Sequence, residues 1–232
     1  MQSKPMERPN EKQRLFFLAD APFVAYGGAR GGGKSWAVRK KAQLMCAAYA
    51  GIRVLIIRRT YPELRENHIL PLLEDLKGAA TYRDSEKAFT FMNGSRLRFG
   101  YCDGEADVTR YQGQEFDVIF IDEATQFTEY QFRTLAACIR GANDFPKRMY
   151  LTCNPGGVGH GWVKRLFITR EYRPGEDAQD YVFIPARVFD NRALLDRDAA
   201  YLKTLNALPP SLKRAWLEGD WDSLAGQYFS EF

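Results

Sequence analysis

VAYGGARGGGKSWAVRKKAQL, Val24–Leu44, contains Gly28-Ala29-Arg30-Gly31-Gly32-Gly33-Lys34-Ser35, which fits the phosphate-loop pattern G-x-x-x-x-G-K-[ST]. Strand-like PFVAY precedes it and helix-like WAVRKKAQLMCAAYA follows it, the flanks such a loop requires. A loop that wraps a polyphosphate must turn its backbone N–H groups inward, which glycine's freedom at positive φ permits. The pattern therefore predicts that Gly28, Ala29, Arg30, Gly31, Gly32 and Gly33 cradle phosphates. Lys34 then reaches the β- and γ-phosphates, and the Ser35 hydroxyl ligates Mg²⁺. The N-terminus of the following helix adds partial positive charge.

Outward from this loop, apolar runs alternate with helix-like segments. FVAY, RVLIIRR, VIFIDEA, RMYLTCNP and YVFIPA read as buried strands. SWAVRKKAQLMCAAYA, YPELRENHILPLLEDLK (interrupted by Pro71) and TEYQFRTLAACIR read as crossover helices. The expected fold is α/β, a mainly parallel sheet flanked by helices. In KAFTFMNGSRLRFGY, Asn93-Gly94 between alternating stretches predicts a β-hairpin with a two-residue turn. DRDAAYLKTLNALPPSLKRAWLEGDW predicts two short helices broken at Pro209-Pro210, a lid or tail. The expected division is an ATPase core over 1–195 and a helical lid or linker over 196–232.

The 232 residues, 45% hydrophobic and 27% charged, suit one α/β domain with a short appendage rather than a disordered chain. No apolar run approaches the ~18 residues of a membrane span, and the N-terminal stretch lacks a signal-peptide core. A protein that stays where it is made, with no membrane partner, is expected. Cys46, Cys102, Cys138 and Cys153 are scattered without C-x-x-C spacing, so reduced thiols are expected. The net charge of +4 tolerates nucleic acid without identifying it.

VIFIDEA places Asp122 and Glu123 where a central strand emerges at its C-terminal end, the edge at which α/β sheets hold ligands. Asp122 is read as the support for Mg²⁺ and Glu123 as the base that polarises an attacking water. No asparagine is followed by lysine, so the N-K-x-D guanine signature is absent, and ATP is the expected nucleotide. YLTCNP ends another core strand. Thr152 and Asn154 there either contact the γ-phosphate or the lytic water, or merely close the strand with an Asn-Pro turn. DGEAD, Asp103 to Asp107, reads as a solvated turn rather than a metal site.

Together these motifs resemble the large terminase subunit of tailed bacteriophages and prophages, the ATP-driven motor that packages DNA. PNEKQRLFF looks like the family's adenine-reading segment, with Gln13. YGGARGGGKSWA looks like its Walker A motif, RYQGQEFDVIFIDEATQF like its Walker B, and LTCNPGG like its coupling motif, all in family order. The resemblance implies a P-loop NTPase fold of the ASCE, RecA-like class. It also implies double-stranded DNA, a portal protein and a small terminase subunit as partners, in a ring expected to be a pentamer on the procapsid in the bacterial cytoplasm. Full-length relatives carry an endonuclease domain, and LEGDWDSLAGQYFSEF looks like the junction leading into it. Arg30 matches the arginine common in the family's Walker A loop, viewed as touching phosphates or switching with the ATP cycle. A second cation is implied in trans, because a guanidinium best neutralises the transferred phosphoryl group. Arg110 is the candidate, with Arg140 and Arg148 as alternatives. A helicase-type translocase and an ATP-gated assembly module are the other readings.

Overall fold

The computed structural model describes residues 8–224. Its centre is an eight-stranded sheet formed by β1 (Phe23–Gly28), β2 (Arg53–Arg58), β3 (Ala80–Arg83), β4 (Ala88–Phe91), β5 (Arg96–Tyr101), β6 (Val118–Ile121), β7 (Arg148–Cys153) and β8 (Tyr181–Ala186). The strand order is β3-β4-β5-β2-β6-β7-β1-β8. Every pair from β5 to β8 in that order is parallel. The β3-β4 and β4-β5 pairs are antiparallel.

Alternation along the strands explains the two-sided core. Val24, Tyr26, Val54, Ile56, Val118, Phe120 and Tyr150 face one side with α1 (Glu11–Leu18) and α2 (Lys34–Ala48). Ala25, Leu55, Ile57, Ile119, Ile121, Met149 and Leu151 face the other, among side chains contributed by later helices such as Phe132 and Trp162. The period of two drives this split, and both faces are apolar because both are covered. Phe120 stacks on Tyr150 at 5.0 Å between ring centroids. Each such fully buried side chain contributes about 1.5–3 kcal/mol of transfer free energy.

The predicted strands are all present, and β3 is an addition. It is a four-residue edge strand, ATYR, with an alternating burial pattern too short to announce itself. The hairpin turn differs from expectation by one residue. Phe91 and Ser95 are hydrogen-bonded, so Met92, Asn93 and Gly94 form a three-residue loop, with Gly94 at φ 81°.

The helix over 61–77 is modified rather than broken. α3 (Tyr61–Leu64) runs into a π-helical turn (Arg65–Ile69) and then α4 (Leu70–Asp75). Pro71 lacks the N–H that the Asn67 carbonyl would otherwise accept, and the Arg39 guanidinium donates to that carbonyl instead. α5 (Glu129–Ala136) opens on a Thr128 capping box. α6 (His160–Val163) continues into a second π turn, Lys164–Thr169.

At the C-terminal end, α7 (Arg192–Arg197), α8 (Ala199–Asn206), α9 (Pro210–Lys213) and a π turn (Arg214–Glu218) gather a small apolar cluster of their own. Val188, Leu205 and Leu217 are at its centre, packed by Leu194, Leu195 and Tyr201. The remainder of the expected junction, 225–232, lies outside the described residues. The cysteines Cys46, Cys102, Cys138 and Cys153 are free and buried. Among the described residues no helix is long and apolar enough to cross a membrane.

Candidate functional site

The sheet order puts β7 between β1 and β6, so the loops leaving all three converge at one edge. β1 delivers the glycine loop and β6 delivers Asp122 and Glu123. β7 delivers Thr152 and, one residue beyond its end, Asn154. A cleft of about 510 Å³ opens there, lined by Gly31, Gly32, Gly33, Lys34 and Ser35 on one side and Arg58, Glu63, Glu123 and Asn154 on the other.

Gly33 caps α2 in the left-handed region, at φ 72°. The positive φ favours glycine at this position, and a Cβ there would stand 2.7 Å from the Gln13 side-chain amide nitrogen, which would have to move aside. Gln13 donates to the Gly33 carbonyl at 3.2 Å, and Asn191 donates to the Gly31 carbonyl at 2.7 Å. Lys34 Nζ donates to the Ala29 carbonyl at 2.5 Å and to Asn154 Oδ1 at 2.7 Å, which curls the lysine back over the loop. Asn154 then donates its Nδ2 to Glu123 Oε2 at 3.0 Å, so one amide joins the lysine to the glutamate.

Asp122 is fully buried, and a buried carboxylate must be hydrogen-bonded. Thr152 Oγ1 donates to its Oδ1 at 2.6 Å. Ser35 Oγ lies 3.2 Å from Oδ2, His68 Nε2 2.8 Å from Oδ2, and Arg58 Nη1 3.5 Å from Oδ2. Burial alone would raise the Asp122 carboxyl, but His68, Arg58 and Thr152 outweigh it and hold the group ionised. Burial drives His68 toward its neutral form against the pull of Asp122, which leaves the imidazole donating through Nε2.

Glu123 has a left-handed backbone, φ 61° and ψ 55°, an uncommon conformation for a residue with a side chain. Its N–H donates to Thr152 Oγ1 at 2.9 Å. Burial raises the Glu123 carboxyl, Lys34 opposes this, and the neighbouring Asp122 charge reinforces it. Burial likewise lowers Lys34, countered first by Glu123.

From sequence, Thr152 is either a γ-phosphate or water contact or part of a strand-closing turn, and the structure shows what its hydroxyl bonds to. It is fully buried beneath the two acids and bonded to both, so it holds the acid pair in place rather than facing a ligand in the cleft. Gln13 sits on the far side of Gly33, lining a neighbouring cleft with Asn10, Asn191 and Leu194. Arg30 turns its guanidinium over the Trp216 ring, 3.4 Å from the centroid, and its backbone N–H donates to the Trp216 carbonyl.

Arg110 is not among the residues that line the cleft. Its side chain is 42% exposed, ion-paired to Asp107 and set over the Tyr101 ring. Arg140 and Arg148 lie near the starts of β6 and β7, the sheet edge opposite the glycine loop. Asp107 accepts from the N–H groups of Asp103 and Gly104, so DGEAD is a self-capped turn.

Ser35 and Asp122 are hard oxygen donors 3.2 Å apart at the head of α2, a pairing that fits Mg²⁺, which keeps several waters and takes few protein ligands. Arg58, Glu63 and His68 are site residues that motif reading passed over. Arg58 ends an apolar run and His68 occupies an apolar helical stripe, signals with no fixed spacing to the loop.

The family model described as phage terminase large subunit matches residues 20–219. No curated protein matches the sequence. Among solved structures, the large terminase from a thermophilic bacteriophage, in complex with ADP, superposes with a TM-score of 0.73 at 18% identity, covering 91% of this chain and 53% of that one. The ATPase domain of the Thermus phage P74-26 large terminase gives 0.67 at 16% identity, covering 92% and 94%. The N-terminal domain of the DNA packaging ATPase from bacteriophage phi29 gives 0.53 at 16%, covering 76% and 95%. The chain spans about half the length of the ADP-bound terminase. The sheet and its flanking helices are thus the P-loop, RecA-like fold of terminase ATPase domains.

Proposed function

The chain belongs to the phage terminase large-subunit family, and from that premise we propose that it is the ATPase motor domain that hydrolyses ATP to drive double-stranded DNA into a procapsid. The observation that carries this reading is the bridge Lys34–Asn154–Glu123 across the mouth of the glycine loop. It joins a phosphate-binding cation to a buried acid of raised pKa, which is what a hydrolase needs and a passive nucleotide clamp does not. The thermophilic bacteriophage's large terminase is known in complexes with ADP and with ATP-γ-S, which supports the choice of nucleotide.

In this mechanism the polyphosphate enters the loop and Lys34 exchanges the Ala29 carbonyl and Asn154 for phosphate oxygens. Ser35 and Asp122 would hold Mg²⁺, which when bound neutralises charge on the β- and γ-phosphates. Glu123 orients a water and takes its proton as the water oxygen bonds to the γ-phosphorus and the bond to the ADP oxygen breaks. Asn154, released by Lys34, continues to aim the Glu123 carboxylate. Gln13 reads adenine beside Gly33, supported by its place in the adjoining cleft.

Arg30 moves between the Trp216 ring and the phosphates. Arg110 acts in trans, a role that its exposure and its absence from the residues lining this chain's own cleft favour. Residues 1–195 form the motor core and 196–232 a lid or linker toward a nuclease domain. The partners are a portal protein, a small terminase subunit and further copies of this chain in a pentameric ring on the procapsid in the host cytoplasm. A packaging assay with the full-length protein tests the reading. Lys34→Ala is expected to abolish ATP-dependent DNA protection inside procapsids, and packaging by that variant at the wild-type rate would overturn it.

A further inference from the structure

We infer that His68 is a positioning residue for metal-dependent nucleotide binding, fixing Asp122 from the helical side of the cleft; this rests on the reading of Asp122 as the Mg²⁺ support. Asp122 has two oxygens, and the protein secures each from a different layer. Thr152, at the end of β7, donates to Oδ1 at 2.6 Å from within the sheet. His68 reaches Oδ2 at 2.8 Å from the π turn between α3 and α4, and both His68 and Asp122 are fully buried.

A carboxylate oxygen has two lone pairs, so the His68 bond leaves Oδ2 able to serve Ser35, 3.2 Å away, or an ion that replaces that contact. Rotation of the carboxylate would break the bonds from Thr152 and His68 together. The ligand is therefore held in one orientation before any ion arrives.

Packing alone does not account for an imidazole here. His68 lies in the stripe Leu64, His68, Leu72, with the leucines also fully buried. Its Nδ1 is buried without a hydrogen-bond partner, a cost that an apolar side chain would avoid. The segment that carries it is π-helical, and widened turns of this kind recur where a helix presents a side chain to a functional site. Arg58 adds charge at 3.5 Å from the same oxygen but also faces Glu63 at 4.0 Å, so it is shared, whereas the His68 Nε2 bond goes to Asp122. Hydrogen bonds of this kind to a ligating side chain typically support metal affinity by ~10- to 100-fold.

The test is a Mg²⁺ titration of fluorescent ATP-analogue binding, with a parallel titration in EDTA and a thermal melt for each variant. His68→Phe keeps a ring and removes the donor. His68→Gln keeps a donor near the Nε2 position. The expected result is a Mg²⁺ midpoint raised at least tenfold in His68→Phe and largely recovered in His68→Gln, with binding in EDTA altered less than about twofold. A wild-type midpoint in His68→Phe, or an equal loss in both variants, overturns the inference. Asp122→Asn separates the two levels: if it shifts the midpoint while His68→Phe does not, only the role of His68 fails, and if it does not shift the midpoint, the metal reading of Asp122 fails and the inference with it.

Discussion

Asn154 donates its side-chain amide to the Glu123 carboxylate, Nδ2 to Oε2 at 3.0 Å, while its carbonyl oxygen accepts from Lys34 at 2.7 Å. The amide suits this place because it offers a donor to one neighbour and an acceptor to the other, which neither alanine nor aspartate can do. Asn154→Ala is therefore expected to lower kcat by about 10- to 100-fold, the ~1.5–3 kcal/mol associated with a hydrogen bond to a charged group. The loss should fall on kcat more than on nucleotide affinity, because the phosphate contact proposed for Lys34 does not depend on Asn154. Steady-state ATPase rates beside equilibrium nucleotide binding check this, and an unchanged kcat would remove Asn154 from the chemistry.

The Glu123 carboxyl is raised above the ordinary glutamate value of 4.5 by burial, against the pull of Lys34. A general base works deprotonated, so activity must fall as pH drops through that raised value. The acid limb of kcat/KM is expected above the pH at which an exposed glutamate would titrate. Asn154→Ala should push the limb higher still, since the amide favours the charged form. A pH series for wild type and Asn154→Ala measures both, and a limb that moves down in the variant would contradict the assignment.

The parallel core was legible because its strands are nearly continuous apolar runs bounded by the loop motifs, as in VIFIDEA and RMYLTCNP. The glycine loop, Asp122 and Glu123 were legible because their spacing is local. Thr152 was legible as a polar residue at a strand end, but not as a group bonded to both acids, since that depends on β7 lying between β1 and β6. His68 was harder. Its partner is 54 residues away in sequence, and its only local mark is a polar side chain at the i, i+4 spacing of Leu64 and Leu72. Arg30 is a loop residue by its place in the motif, but its stacking on Trp216 needed the fold of the C-terminal helices.

Arg110 pairs with Asp107 on the surface, clear of its own chain's cleft. The proposed action on a neighbouring copy predicts complementation. Under assembling conditions, Glu123→Gln chains mixed with Arg110→Ala chains should recover ATPase activity that neither shows alone, with ~10³–10⁵ as the scale of an arginine finger. Full activity of Arg110→Ala by itself would exclude this arginine.

The central claim is that Glu123 activates water in a cleft whose phosphate contacts are made by other residues. Single-turnover hydrolysis by Glu123→Gln, with nucleotide binding measured on the same sample, tests it most directly. The amide keeps the shape and the site's occupancy but cannot take a proton. Binding within about twofold of wild type and hydrolysis slowed by ~10²–10⁴-fold are predicted. Hydrolysis at the wild-type rate by the bound variant would contradict the account.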